Sequence, residues 1–233
     1  MTGQGETTLY VKQMELGPMQ NFVYLIGDPV ARQCVVVDPA WEIEAIVDAA
    51  AADGMDLIGA VVTHTHQDHV GGSLESWGLP GRIPGVEDLL GRVDLKVYVH
   101  KAEREFLKGF GSDLVAVGGH DTLTVGRLTV TFLHTPGHTP GSQCFLVDGR
   151  LVSGDTLFIG ACGRTDLPGS DPTEMYYSLT RRLAALPEET LLLPGHNYGG
   201  PSSTIGDEKR TNAFMRMRSL GEFLRAVGGP RRA

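Results

Sequence analysis

The sequence predicts one layered α/β domain with helices outside packed sheets. Three observations carry this expectation. Strand-length runs of β-branched and aromatic residues alternate with helical patterns, no clean linker divides them, and 233 residues suffice for one large core. Charged residues make up 21% and the hydrophobic set 41%, which excludes a disordered chain or a fibre. Glycine is in excess: 31 residues, about twice the usual ~7%, imply many tight turns and exposed loops.

The first forty residues read as strands. TLYVKQMEL, NFVYLIG and QCVVVD are separated by Gly-Pro and Asp-Pro turn signals. AWEIEAIVDAAAADG switches to helical spacing, with Ile43, Ile46 and Val47 on one face and Gly54 as its C-terminal cap. LIGAVVTH returns to strand. The Gly- and Pro-interrupted stretch 73–95 reads as a surface insertion holding a short helix and packing on a sheet edge. LKVYVH is a strand and KAEREFLKGF a short helix, and strands at hairpin-like spacing fill Leu123 to Val152. TEMYYSLTRRLAAL is helical, TLLLPG is a strand, and 206–228 closes the chain as one helix within a single domain spanning 1–233.

The net charge of −8 excludes a basic footprint for nucleic acid or an anionic membrane. MTGQGETTLY carries no secretory signal, and no apolar run approaches the ~18 residues of a membrane span. Cys34, Cys144 and Cys162 are odd in number and lack CxxC spacing, which points to a reduced, cytoplasmic setting. Cys34 and Cys144 read as small core residues, and Cys162 falls in the loop GACGRTD.

Five of the eight histidines form a pattern. THTHQDHVGG holds His64, His66, Asp68 and His69, and HTPGHTPGS holds His138. SGDT holds Asp155, and LPGH holds His196. His64, Asp155 and His196 each follow an apolar strand-like run. Loops beyond rigid strand ends can bring distant side chains together. Imidazoles and carboxylates are ligands of zinc, iron and manganese, and seven are too many for one tetrahedral ion. They fit two divalent ions, which ~3.5–4 Å apart can activate a bridging water as hydroxide and clamp a hydrolytic transition state. The remaining His100, His120 and His134 read as ordinary strand-end residues, with a supporting role behind a ligand as the alternative for His134.

THTHQDH followed by PGHTPGS, SGDT and PGH resembles the metallo-β-lactamase superfamily, over roughly Leu9 to Ala213. The resemblance implies a four-layer αβ/βα sandwich with metals at one edge. It implies one metal on His64, His66 and His138 and a second on Asp68, His69 and His196, with Asp155 bridging. Asp68 and Asp155 would be the catalytic carboxylates.

Two branches are similar to this chain. Glyoxalase II-like enzymes hydrolyse thioesters such as S-lactoylglutathione with two metals. Persulfide dioxygenases oxidise glutathione persulfide with a single Fe(II) on the equivalents of His64, His138 and Asp155, a two-His-one-carboxylate triad suited to O₂ chemistry. All seven ligand positions occur in both branches. GACGRTDLP and STIGDEK resemble the dioxygenases, whereas Asn197 stands where they usually have Asp, and NAF replaces their Asn-Pro-Arg. GPMQNFVYLIGD is typical of the hydrolases. Arg164 falls where glyoxalase II has a substrate-binding lysine and Tyr198 where it has a tyrosine, and Arg164, Lys209 and Arg210 are the basic residues that could meet an anionic substrate. Some 37 residues follow His196, fewer than the glutathione-binding helical domain of classical glyoxalase II. The expectation is therefore a hydrolase of a small, anionic thioester or ester using two divalent ions (Zn, Fe or Mn). The alternative is a single-Fe(II) sulfur dioxygenase. No nucleic-acid or membrane partner is expected, and homodimerisation is left open.

Overall fold

Period-two alternation sets the layers. In the strand Asn21–Asp28, Phe22, Tyr24 and Ile26 turn to one face and Val23 and Leu25 to the other, all of them buried. A strand covered on both faces lies between two layers. The computed structural model describes residues 9–228. Residues 1–8, on which the no-leader expectation partly rests, and 229–233 lie outside the described residues.

Six strands form the first sheet: β1 (Tyr10–Leu16), β2 (Asn21–Asp28), β3 (Gln33–Val37), β4 (Asp56–Val61), β5 (Lys96–His100) and β6 (Leu114–Val117). They lie in chain order, the first two pairings antiparallel and the other three parallel. The second sheet holds β7 (Thr122–Val125), β8 (Leu128–His134), β9 (Gln143–Val147), β10 (Arg150–Gly154), β11 (Leu191–Pro194) and β12 (Ser203–Thr204), again neighbour to neighbour. Only β10 and β11 pair in parallel, because helical chain intervenes between them.

Helices α1 (Ile43–Ala52), the one-turn α2 (Gln67–Val70) and α3 (Val86–Leu90) belong to the first sheet's half. On the second half lie α4 (Pro172–Tyr177), α5 (Ile205–Thr211) and α6 (Leu220–Gly228). A central core joins Tyr24, Ile26, Val35 and Val37 of one sheet to Phe132, Phe145, Val152 and Leu193 of the other. One outer core packs Ile43, Ile46, Val86 and Leu89 on the first sheet. The other packs Met175, Leu179, Ile205 and Phe223 on the second. Helix, sheet, sheet and helix make four layers. Among the described residues, no helix is long and apolar enough to cross a membrane.

Three expectations change. The closing helix 206–228 is two helices, α5 and α6. Asn212 breaks it: its Oδ1 accepts from the backbone N–H of Phe214 and Met215, and its Nδ2 donates to Phe158 O, Ala161 O and Glu208. A side chain that takes over local backbone hydrogen bonds ends a helix. The 73–95 insertion is superficial only in its first half, a short hairpin (Gly72–Ser73 on Arg82–Ile83) with Trp77 and Leu79 exposed. Ile83, Val86 and Leu89 of its second half are fully buried. Finally, KAEREFLKGF contains only a 3₁₀ turn, Arg104–Leu107.

Candidate metal centre

The seven ligand-type residues meet at one edge of the sandwich, each carried there by a strand end or the loop beyond it. Three residues past the end of β4, His64 follows Thr63. His66 precedes α2, and its backbone carbonyl accepts from the N–H groups of His69 (2.9 Å) and Val70 (3.1 Å). Asp155 and His196 follow β10 and β11, whose parallel pairing places their ends side by side. His138 lies in the β8–β9 connection. Gly154 makes the approach possible: its φ is +48°, and a Cβ there would sit 2.5 Å from Thr63 Oγ1.

Three overlapping groups of donors result among the described residues: His64 with His66 and His138, Asp68 with His69 and His196, and Asp38 with His64 and His69, which takes one histidine from each of the other two. In the first, His66 Nδ1 lies 3.1 Å from His64 Nε2 and 3.0 Å from His138 Nε2. In the second, His69 Nε2 lies 3.2 Å from His196 Nε2, and Asp68 Oδ2 lies 3.5 and 3.4 Å from the two. Asp155 stands between them. Its Oδ2 is 3.5 Å from His138 Nε2, and its Oδ1 is 3.3 and 3.4 Å from His69 and His196. Ring nitrogens pointing at one another at about 3 Å match donors around a common ion with Zn–N near ~2.0–2.1 Å. Asp155 Oδ1 is buried and accepts no hydrogen bond. An orphaned carboxylate oxygen facing imidazoles is the chemistry of an ion-binding position, and the residues present fit divalent metal.

The outer ring nitrogens are tied down, which fixes tautomer and orientation. His138 Nδ1 donates to Arg164 O (2.8 Å) and His196 Nδ1 to Met19 O (2.9 Å). Asp38 anchors the other half. Its carboxylate accepts from Thr63 N (2.7 Å), Thr63 Oγ1 (2.6 Å) and His69 Nδ1 (2.9 Å). With its proton given to Asp38, Thr63 Oγ1 accepts from His64 Nδ1 at 3.0 Å. Buried Glu103 accepts from the Thr65 hydroxyl and from Gly141 N (2.7 Å), joining the two ligand loops.

Electrostatics follow from burial and crowding. Burial, reinforced by the neighbouring imidazoles, holds His64 well below the usual histidine range and takes His66 down to about 4. Burial also works against a charged His69, but Asp68 and Asp155 outweigh it and hold its pKa well above the usual value. For Asp155 burial favours the neutral acid, and His69 and His196 reverse that, keeping it ionised.

The metallo-beta-lactamase superfamily profile matches residues 16–196, which include all seven of these side chains. The chain belongs to the metallo-β-lactamase superfamily. Within the superfamily it is 29% identical to "Probable polyketide biosynthesis zinc-dependent hydrolase PksB" of Bacillus subtilis, over 88% of this chain and 86% of that protein. It is 31% identical to the mitochondrial persulfide dioxygenase ETHE1 of Homo sapiens, over 97% of this chain and 83% of that one. The crystal structure of ETHE1 from Myxococcus xanthus superposes with a TM-score of 0.80 at 31% identity, covering 95% and 92% of the two chains. With a zinc-dependent hydrolase and a persulfide dioxygenase among its relatives, the protein is an enzyme of this superfamily, of the hydrolase or dioxygenase type, and its His/Asp clusters support divalent metal use.

Of the three substrate-binding candidates, Arg164, Tyr198 and Lys209, only Tyr198 has its side chain on the cluster. Its ring stacks on His196 at 4.6 Å and 8°, meets Phe158 edge-on and is 56% exposed. Arg164 reaches the cluster through its carbonyl, while its guanidinium pairs with Asp166 (2.9 Å). Lys209 on α5 is held by Glu188 at 3.0 Å. Sequence reasoning missed Asp38, Thr63, Asn21, Trp41 and Glu103 as supports. Asp38 carried a signal, since it ends QCVVVD as the ligands end their own strands.

Burial pushes the thiols of Cys34 and Cys162 up to about 12 and that of Cys144 to about 11. Thiolate is the reactive form, and a raised pKa keeps all three protonated at pH 8. A chromogenic disulfide reagent at pH 8 is expected to titrate none in the folded protein and all three after unfolding. Rapid reaction of Cys162 in the native state would contradict this.

Proposed function

We propose that the protein is a metallo-hydrolase that cleaves a small, anionic thioester or ester in a reducing cytoplasm. The observation that carries the reading is the pair of donor groups joined by Asp155, one carboxylate oxygen turned to each. His64, His66 and His138 would hold one divalent ion and Asp68, His69 and His196 the other, with Asp155 shared and zinc, iron or manganese all compatible. When bound, such ions supply Lewis acidity toward the carbonyl oxygen and lower the pKa of water.

The chain's own residues supply the rest. Asp68, held by Asn21 Nδ2 at 3.1 Å, orients the attacking water and takes its proton. Asp38, Met19 and Arg164 lock the histidines so that their lone pairs face inward before substrate arrives. Tyr198 and Phe158 wall the His196 side and offer a flat face to the substrate. Arg164 and Lys209 would meet its negative charge by exchanging Asp166 and Glu188 for it.

The likeness to persulfide dioxygenases supports a second reading, with one Fe(II) on His64, His138 and Asp155. One experiment separates the two. Protein reconstituted anaerobically with iron, and separately with zinc, is assayed for S-lactoylglutathione hydrolysis and for O₂ uptake with glutathione persulfide. Hydrolysis with two metals per chain is expected. Robust O₂ uptake with one iron per chain would replace the first reading by the second.

A further inference from the structure

Trp41 has an unusual backbone for so large a residue: its φ is +73°, the left-handed region that bulky side chains seldom enter. The surroundings enforce it. Its N–H donates to Pro84 O at 2.8 Å, and its ring packs so closely on Gly17 that a Cβ there would sit 2.3 Å from the indole.

What the strained conformation achieves is the placement of one N–H. Trp41 Nε1 donates to Asn21 Oδ1 at 3.0 Å and to the backbone carbonyl of Asp68 at 3.1 Å. With its oxygen so occupied, Asn21 must turn its Nδ2 toward Asp68, where it donates to Oδ2 at 3.1 Å. Two linked donors thus reach one residue, the indole N–H its carbonyl and the amide N–H its carboxylate. Because α2 is a single turn, Asp68 O has no partner within the helix, and the indole supplies one. Asn21 is itself buried and is seated beside the cluster by pairing with His196.

We infer that Trp41, acting through Asn21, is the positioning residue that orients Asp68 and so completes the Asp68–His69–His196 half of the centre. The inference rests on the two-ion reading above. An aromatic that merely filled space would not need its N–H, whereas here the N–H fixes the amide, and the amide fixes the carboxylate. The His64–His66–His138 half has its own supports in Thr63, Glu103 and Arg164, so loss of the indole N–H acts on one half alone.

The test is a calorimetric titration of metal-free protein with Zn²⁺, with bound metal counted after desalting. Wild type is compared with Trp41→Phe, which keeps a ring against Gly17, and with Asn21→Leu, which keeps the volume. Wild type is expected to take two equivalents. Both variants should keep the first and bind the second about 10- to 100-fold more weakly, the usual effect of removing an outer support of a ligand. In a Trp77→Phe background Trp41 is the sole tryptophan, and its emission should change with the second equivalent and not the first. Unchanged binding of both equivalents by Trp41→Phe would overturn the inference and leave the two-ion reading standing. A wild type that takes only one would overturn that reading and the inference with it. If Trp41→Phe does not fold, unchanged second-site binding in Asn21→Leu, or emission silent to the second equivalent, overturns the inference as well.

Discussion

Asp155→Ala is expected to lose metal from both halves of the centre at once and to lower kcat/KM by at least about 1,000-fold. Both oxygens of this carboxylate face imidazole nitrogens, His138 on one side and His69 and His196 on the other. No other side chain in the cluster faces both donor groups through separate oxygens. Bound metal is worth several kcal/mol to a hydrolytic transition state, and about 1.4 kcal/mol is tenfold in rate. Asp155→Asn separates charge from shape: it fills the same space but supplies a single neutral oxygen, so it should retain metal in one half at most. Elemental analysis of purified protein beside turnover measures both effects. Full metal content in Asp155→Ala would show that the carboxylate does not bridge.

The layers and the ligand-type residues were legible because each leaves a local trace. Alternation in NFVYLIG marks a strand buried on both faces, and HxHxDH or GD after an apolar run marks donors at a strand end. The break in the last helix was not legible. It depends on Asn212 reaching the carbonyls of Phe158 and Ala161, more than fifty positions earlier. Lys209 illustrates the same limit for charges, since a cation on a helix face looks available until Glu188, 21 residues away, is found beside it. The insertion misled for a different reason. Ile83, Val86 and Leu89 are too few and too interrupted by Pro84 and Gly85 to display a period, although all three are fully buried. Asn21 and Trp41 leave no trace at all, because an amide in a strand and a tryptophan after a turn are ordinary until their hydrogen bonds are traced.

Asp38→Asn should destabilise even the metal-free protein, by about 3 kcal/mol. Asparagine tolerates the left-handed backbone that Asp38 adopts (φ +52°), so the substitution tests the carboxylate and not the turn. The native carboxylate accepts three donors, all buried: Thr63 N, Thr63 Oγ1 and His69 Nδ1. An amide has one acceptor oxygen, and its NH₂ must face at least one of these donors with nothing to accept. The unpaired donor loses its hydration without compensation, which is the expensive way to break a buried hydrogen bond. For a domain of this size the loss corresponds to a fall in Tm of about 6–12 °C, readable by calorimetry on protein stripped of metal. Because Thr63 passes the anchor on to His64 while His69 loses it directly, both donor groups should also slacken together. Asp38→Asn is therefore expected to weaken both equivalents of zinc, the opposite pattern to Trp41→Phe, whose effect is confined to the second. A selective loss in Asp38→Asn would show that His64 keeps its orientation without the carboxylate.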